Sequence, residues 1–556
     1  MSHLLFFVAA IAASLFWTAA CIAAAARTAR RRPKQLLVAA GVIVPPLILL
    51  PWVVLAAWLA FGMGLRTNWF APTLTAFLSA VIGGWWIRRA GLARSADGDG
   101  CVAEAWPAFG LAALFLAAEA ASFGTLLGID RGVVAAGRAL RVEAAQLMAA
   151  SLPPTPAPDD DAAPLYERAF AELAAERLHF VNSSPQAKLL SNWRTADVAA
   201  ADVAALLSRH AATLDLVRRA AAKPGCRFVR DWSRPSVDML LPEFSSMRQA
   251  ARLLALAARR ESASGAADAA LRDVVLLGRL ATHAGADPLL IAGVVSSAID
   301  GGALETLAAV LPATKAEDLA RLADPAFTDF LGTTVSFRRH LFGEEAWGLA
   351  TAADLADGAW GMLTYAGDEA DGFTAMATVA GPLASVYRCF LWPAEVVGYK
   401  RCLHGYQQLL ADPTDRLFPA TQERIAAIER QLLPGGREVM LGPLLVPALG
   451  GCFKAQCSNQ ALHRCAEVLV AITRARLATG SLPEAVAAFV PDQLPALPID
   501  PFTADAPLRA KFVENGWIVY SVGPDGEDDG GPPAPGDEPA PENDDVGLHM
   551  AATSDR

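Results

Sequence analysis

The chain reads as a mainly α protein in three parts: four N-terminal transmembrane helices, an extracytoplasmic α-helical bundle or solenoid-like domain, and a small C-terminal α+β module with an acidic loop. Three observations predict this. The first 130 residues hold four long runs almost free of charge, and the middle of the chain spaces leucine and valine at three and four residues among alanines. Clear strand alternation appears only close to the C-terminus, around Trp517 to Val522. At 556 residues, 54% hydrophobic and 19% charged, the chain exceeds one ordinary domain and is more apolar than a soluble protein should be.

The apolar excess sits in residues 1–130. Leu4 to Ala26 is 23 residues without a charge, Leu36 to Leu65 is 30, Trp69 to Ile87 is 19, and Ala105 to Ile129 carries one charge, Glu119. A bilayer core about 30 Å thick needs roughly 20 apolar residues of helix, so each run is long enough or nearly so to span it. The first run reads as a span rather than a signal peptide because its basic cluster follows the apolar stretch instead of preceding it. Pro45, Pro46 and Pro51 break helical bonding in the second, which predicts a kink or a partly re-entrant segment. Glu119 lies among alanines, where a neighbouring helix or water accounts for it better than a transport role does.

Loop charge sets the orientation. Arg27, Arg30, Arg31, Arg32 and Lys34 follow the first span and Arg88, Arg89 and Arg94 the third, whereas only Arg66 lies between the second and third. Basic loops stay cytoplasmic. The N-terminus is therefore expected outside, and everything after about residue 130 on the outer face of the inner (cytoplasmic) membrane, with membrane lipid as a partner through the four spans.

Residues 131–450 are expected to form the helical domain. Met247 to Arg260, Ala267 to Ala284 and Pro288 to Val310 show helical apolar spacing, separated by Gly265 and by Gly285-Ala286-Asp287. Asp287 before Pro288 suits an N-cap followed by a proline in the first helical position. Pro153 to Asp161 reads as a linker and Gly435 to Gly451 as a second one. Short loops between successive helices suggest a bundle or array, with no fixed repeat period.

In the C-terminal part, Ile518, Tyr520 and Val522 alternate with Val519 and Ser521, and Gly523-Pro524-Asp525-Gly526 is turn chemistry. Asp525, Glu527, Asp528 and Asp529 then crowd a short stretch of backbone, the oxygen-rich bend that a hard cation requires. Upstream lie a helix-like run from Asn459 to Thr479, Gly480-Ser481-Leu482-Pro483-Glu484, and Leu494 to Phe502 reading LPALPIDPF. Helix, G-x-L-P-E, L-P-x-D-P-F, a short hairpin and Y-S-V-G-P-D-G, in that order, resemble the C-terminal globular part of the major pseudopilin of type II secretion systems, over about 100 of the 556 residues. The resemblance implies a calcium site in the loop after the last strand, drawing on Asp525 and Asp528 with Asp544 or Asp545. Two departures accompany it: a proline-rich insert, Pro532 to Pro541, separates the acidic clusters, and Met1-Ser2-His3 runs into Leu4 with no pseudopilin leader signal. The expectation is a different membrane protein carrying a pseudopilin-like module at 455–531 and an acidic, proline-rich tail, extended or disordered, at 532–556.

Charge is segregated too. Gly523 to Arg556 holds 10 acidic residues and one basic, a net of −9 against −10 for the whole chain. With no basic stripe, nucleic acid is excluded as an expected partner. Six cysteines fall in the outer part, Cys226, Cys389, Cys402, Cys452, Cys457 and Cys465, and a local disulfide among the last three is the favoured reading, with buried free thiols the alternative. Cys452, Cys457, His463 and Cys465 match no zinc finger or ribbon spacing.

No catalytic signature stands out: there is no H-E-x-x-H, G-x-S-x-G, Walker loop or G-x-G-x-x-G. Arg338, Arg339, His340, Glu344 and Glu345 are the densest polar cluster of the helical region, which reads more simply as a solvated helix face than as acid/base machinery. Two function classes follow. One is a cell-envelope protein with an outer helical interaction domain and a calcium-stabilised pseudopilin-like module for docking, assembly or secretion, partnered by another envelope protein. The other is a membrane-bound extracytoplasmic, hydrolase-like enzyme whose site gathers residues distant in sequence.

Overall fold

The computed structural model describes residues 106–175, 185–233, 235, 239, 241–357, 392–411, 418–430, 441–513, 516–534 and 543–551. These are mainly helical, with one small sheet. The first three expected spans lie outside the described residues. The fourth falls on a helix, α1 (Trp106–Ser151), which continues past Ile129 to Ser151 without a break and carries Glu119.

The described residues belong to two compact units. In the smaller, made of 106–142, 349–357 and 392–397 among the described residues, small side chains let two helices approach closely: a Cβ on Gly137 would lie 2.7 Å from Ala356 Cβ. Arg141 bridges Asp354 at 2.6 Å and Asp357 at 3.0 Å, and Trp392 Nε1 donates to Ala352 O at 2.8 Å.

The larger unit is built on α2 (Ala163–Ala175), α3 (Ala211–Ala221), α4 (Glu243–Ala263), α5 (Ala267–Ala284), α6 (Leu290–Val310), α7 (Pro325–Gly332), α8 (Arg338–Asp357, shared with the smaller unit), α9 (Trp392–Ala411, likewise shared), α10 (Phe418–Arg430) and α11 (Leu441–Thr479). Helix α5 has the bounds its apolar spacing predicts, burying Leu271, Val274, Val275 and Leu277. Gly265 ends α4 at φ +86°, a conformation that costs glycine little. There Gly265 N donates to Ser262 O and Ala266 N to Glu261 O, the paired bonds of a Schellman C-cap.

Helix α6 is the centre of the core, packed against α4, α5, α11 and the sheet. Leu290–Ala313 is long and apolar enough to cross a membrane, the one such stretch among the described residues, and 67% of its most apolar window is buried in the protein. Its start differs from expectation. Leu289, not Asp287, precedes the first helical residue, and Asp287 is instead held by Arg230 at 2.8 Å; the Leu290 N–H donates to Glu344 Oε2 at 3.3 Å, a cap supplied by another helix. The second expected linker is also corrected, because residues 441–451 are the first turns of α11. The linker at Pro153 to Asp161 has no α-helix, only a 3-10 turn at Pro158–Asp160.

The sheet has order β1-β2-β3, all antiparallel: β1 (Arg509–Val513), β2 (Gly516–Ser521) and β3 (Val546–Ala551). The first two are the expected hairpin. The third lies inside the segment expected to be an extended or disordered tail: it pairs Trp517 with Met550 and Tyr520 with Gly547. Trp517, Val519, Leu548 and Met550 join the core of the helical body, and α11 crosses residues 450–455 unbroken, so the strands and the helices bury one another.

Candidate functional site

Strand β3 brings the two acidic clusters together across the proline-rich insert. Asp544 N donates to Asp529 Oδ2 at 3.4 Å, Gly531 N to Asp545 Oδ2 at 2.7 Å, and Asn543 Nδ2 to Gly531 O at 3.0 Å. Gly523 makes room for this: at φ +69° its Cβ would lie 2.0 Å from Asp544 O, which no side chain tolerates.

The four acids expected at a cation are not equivalent. Asp525 accepts from Glu527 N at 3.1 Å in an exposed turn. Asp528 is committed to the protein: Oδ1 accepts from Tyr520 OH at 2.8 Å and Gly530 N at 3.0 Å, and Oδ2 from Arg509 Nε at 3.3 Å. The Tyr520 hydroxyl above all holds its carboxyl below the usual range. Asp544 faces Lys454 Nζ at 3.2 Å. Asp545 is buried, and its Oδ1 has no hydrogen-bond partner; burial, then the nearby Asp529 and Asp528, push its pKa up. Among the described residues no three His, Cys, Asp or Glu side chains converge as a ready metal cage. The orphaned Asp545 oxygen beside other carboxylates fits a cation; Asp528, already neutralised by Arg509, does not.

Asp500, of the L-P-x-D-P-F stretch, is 0% exposed and accepts from Phe502 N at 2.9 Å, Ser521 Oγ at 2.6 Å and Val522 N at 3.0 Å. It stitches that stretch to the end of β2. Trp517 Nε1 likewise donates to Pro483 O at 2.7 Å, joining the sheet to G-x-L-P-E.

A second site lies wholly in the helical body. A cavity of about 310 Å³ opens between α5, α6, α7, the segment 333–336 and the start of α8. Beside it a row on α11 at helical spacing, Gln456, Asn459 and His463, bonds to the lining residues Val335 and Asp300 and to Phe337. Gln456 Oε1 accepts from Phe337 N at 3.1 Å and Asn459 Oδ1 from Val335 N at 2.9 Å, which fixes the segment before α8. Asn459 Nδ2 donates to Asp300 Oδ2 at 2.6 Å, and His463 Nε2 lies 2.7 Å from the same oxygen. Asp300 Oδ1 is left with no hydrogen-bond partner among the described residues, and Asp300 lines the cavity.

The cluster at Arg338 to Glu345 is therefore not a solvated face. Of the five residues singled out there only Arg338 is exposed; Arg339 and His340 line the cavity. Both His340 nitrogens face carbonyls, Ser336 O and Gly285 O at 3.1 Å each, which would suit a doubly protonated ring. Burial and the neighbouring Arg339 act against this and push its pKa down to about 4. Arg339 donates to Gly285 O, and burial lowers its pKa against the pull of Asp287. Ser296 Oγ donates to Ala281 O at 2.7 Å rather than to a base, so this hydroxyl is not activated. Glu344, on the far side of His340, is pushed up to about 7 by burial.

The expected disulfide is not formed. Cys452, Cys457 and Cys465 are buried on α11, and no two of them are joined. Residues five apart on a helix rise about 7.5 Å along its axis, beyond the roughly 7 Å reach of a disulfide.

No protein-family model, curated protein or solved structure matches the chain.

Proposed function

We propose that this chain is a membrane-anchored cell-envelope protein, held by four N-terminal spans, with an extracytoplasmic helical interaction domain and a calcium-stabilised pseudopilin-like module that serves docking or assembly in a secretion-like system. The observation that carries the calcium reading is the buried, unpartnered Asp545 Oδ1, packed against Asp528 and Asp529. Asp545, with Asp525 from the preceding turn, would hold the ion, and the ion would supply charge neutralisation where two distant acidic segments meet. The anchor is supported by the length of the apolar runs and by the arginine asymmetry of the loops between them.

Melting the full chain in detergent tests the calcium. Calcium is expected to raise Tm above the value in chelator, sodium at equal ionic strength is not, and Asp545→Asn is expected to abolish the response. Superimposable wild-type curves in calcium and chelator would remove the cation. Topology is tested separately: reporters fused at the C-terminus should be extracytoplasmic, and those at Pro33 or Gly91 cytoplasmic. Cytoplasmic activity at the C-terminus would remove the envelope location.

A further inference from the structure

The walls of the cavity in the helical body carry Asp300 and two arginines, each with hydrogen-bonding capacity that the described residues do not fill. Asp300 is 4% exposed; its Oδ2 is taken by His463 and Asn459, while Oδ1 has no partner among the described residues. The same cavity is lined by Arg339, half-buried, and by Arg279, exposed, whose Nη1 also donates to Ala222 O at 3.4 Å. Arg339 spends one N–H on Gly285 O, and its buried Nε has no partner; the carboxylate that attracts it, Asp287, is already bridged to Arg230 at 2.8 Å. Val275, Ala281 and Phe330 supply apolar surface to the lining, alongside the hydroxyls of Thr282 and Ser296 and a second carboxylate, Asp329.

A carboxylate oxygen that opens on the cavity without a protein partner can take a donor, and a guanidinium nitrogen buried without one calls for an acceptor. An anion alone would meet Asp300 as a like charge, and an amine alone would meet the two arginines. A molecule with both groups and an apolar body satisfies all three features, and a cavity of about 310 Å³ is at the small end of ligand sites. We propose that this cavity binds a free α-amino acid with an apolar side chain, its ammonium on Asp300 Oδ1, its carboxylate at Arg339 and Arg279, and its side chain against Val275 and Phe330.

Titration calorimetry on the full chain in detergent tests this, with L-valine, L-leucine and L-phenylalanine as probes. Isoamylamine and isovalerate serve as controls that keep leucine's apolar body and lose one charge each. At least one amino acid is expected to bind, and each control roughly tenfold or more weaker, because each leaves a buried polar group unpaired. Arg339→Gln should weaken amino-acid binding by a similar factor. Arg279→Gln, at the exposed rim, tests the same end without touching the core and should weaken it less. Equal binding of the amine or of the carboxylate, no binding of any of the three amino acids, or unchanged affinity in both arginine variants would overturn the proposal.

Discussion

His463 and Asp300 form a buried pair that ties α11 to α6. The imidazole Nε2 lies 2.7 Å from Asp300 Oδ2 and Nδ1 lies 2.9 Å from Leu331 O, so both ring nitrogens face acceptors. At 1% and 4% exposure, water replaces neither partner. Removing the imidazole by His463→Ala should therefore destabilise the protein by about 3–5 kcal/mol, as expected when one member of a buried pair is left alone. Asp300→Asn combined with His463→Ala should cost less than the sum of the single changes, which urea unfolding of the three variants measures.

A stability profile against pH should show two opposed windows. Glu344 is raised from 4.5 to about 7, so its contribution is complete below about pH 4.5 and is lost as pH rises through 7. His283 and His340 are lowered from 6.5 to about 4, so theirs is complete above about pH 6.5 and is lost as pH falls through 4. Glu344→Gln should flatten the alkaline side, gaining on the order of 3 kcal/mol or less relative to wild type above about pH 8 and little at acid pH. Urea melts at a series of pH values read this directly, and an unchanged alkaline limb in the variant would contradict it.

Cys452 and Cys457 are each pushed up to about 12 by burial, and burial raises Cys465 well above its ordinary value. Thiols rather than thiolates fill the native state, so alkylation should be negligible under native conditions and complete for all three in denaturant without any reductant. Mass spectrometry of peptides from α11 counts the adducts.

Asp500→Ala should leave three buried donors, Phe502 N, Ser521 Oγ and Val522 N, without their acceptor. The expected loss is about 3–5 kcal/mol, seen as a lower urea midpoint. Ser521→Ala removes one of those donors together with its bond and should cost about 1 kcal/mol.

Much of the architecture was legible because it rests on local periodicity. Helix α5, most of α6 and β2 follow from spacing that burial alone selects. Strand β3 was hidden by its surroundings: Leu548 and Met550 alternate as a strand requires, but they follow a stretch of prolines and acids that reads as solvated. The cavity was less legible still. His340 and Glu344 look like surface in a charged run, and His463 looks like a stray among cysteines, until tertiary packing faces α6, α8 and α11 toward one another. Two signals were present without being decisive: an aspartate in the middle of an apolar helix, and the row Gln456, Asn459, His463 on one face of another. Each is costly unless paired, and the partners lie more than 100 residues away in the chain.

Asp300 also bears on how such a helix reaches its place. A chain exported through a translocation channel, as the proposed topology requires, presents Leu290–Ala313 to the lipid beside the channel before the core exists to receive it. Lateral escape of that segment would strand the outer domain. A single aspartate near the middle of a spanning helix raises the free energy of insertion by about 2.5–3.5 kcal/mol, enough to tilt a marginal segment toward onward passage. Under the proposed topology, Asp300, together with Glu305 of the same stretch, would raise the cost of inserting this core helix as a further span.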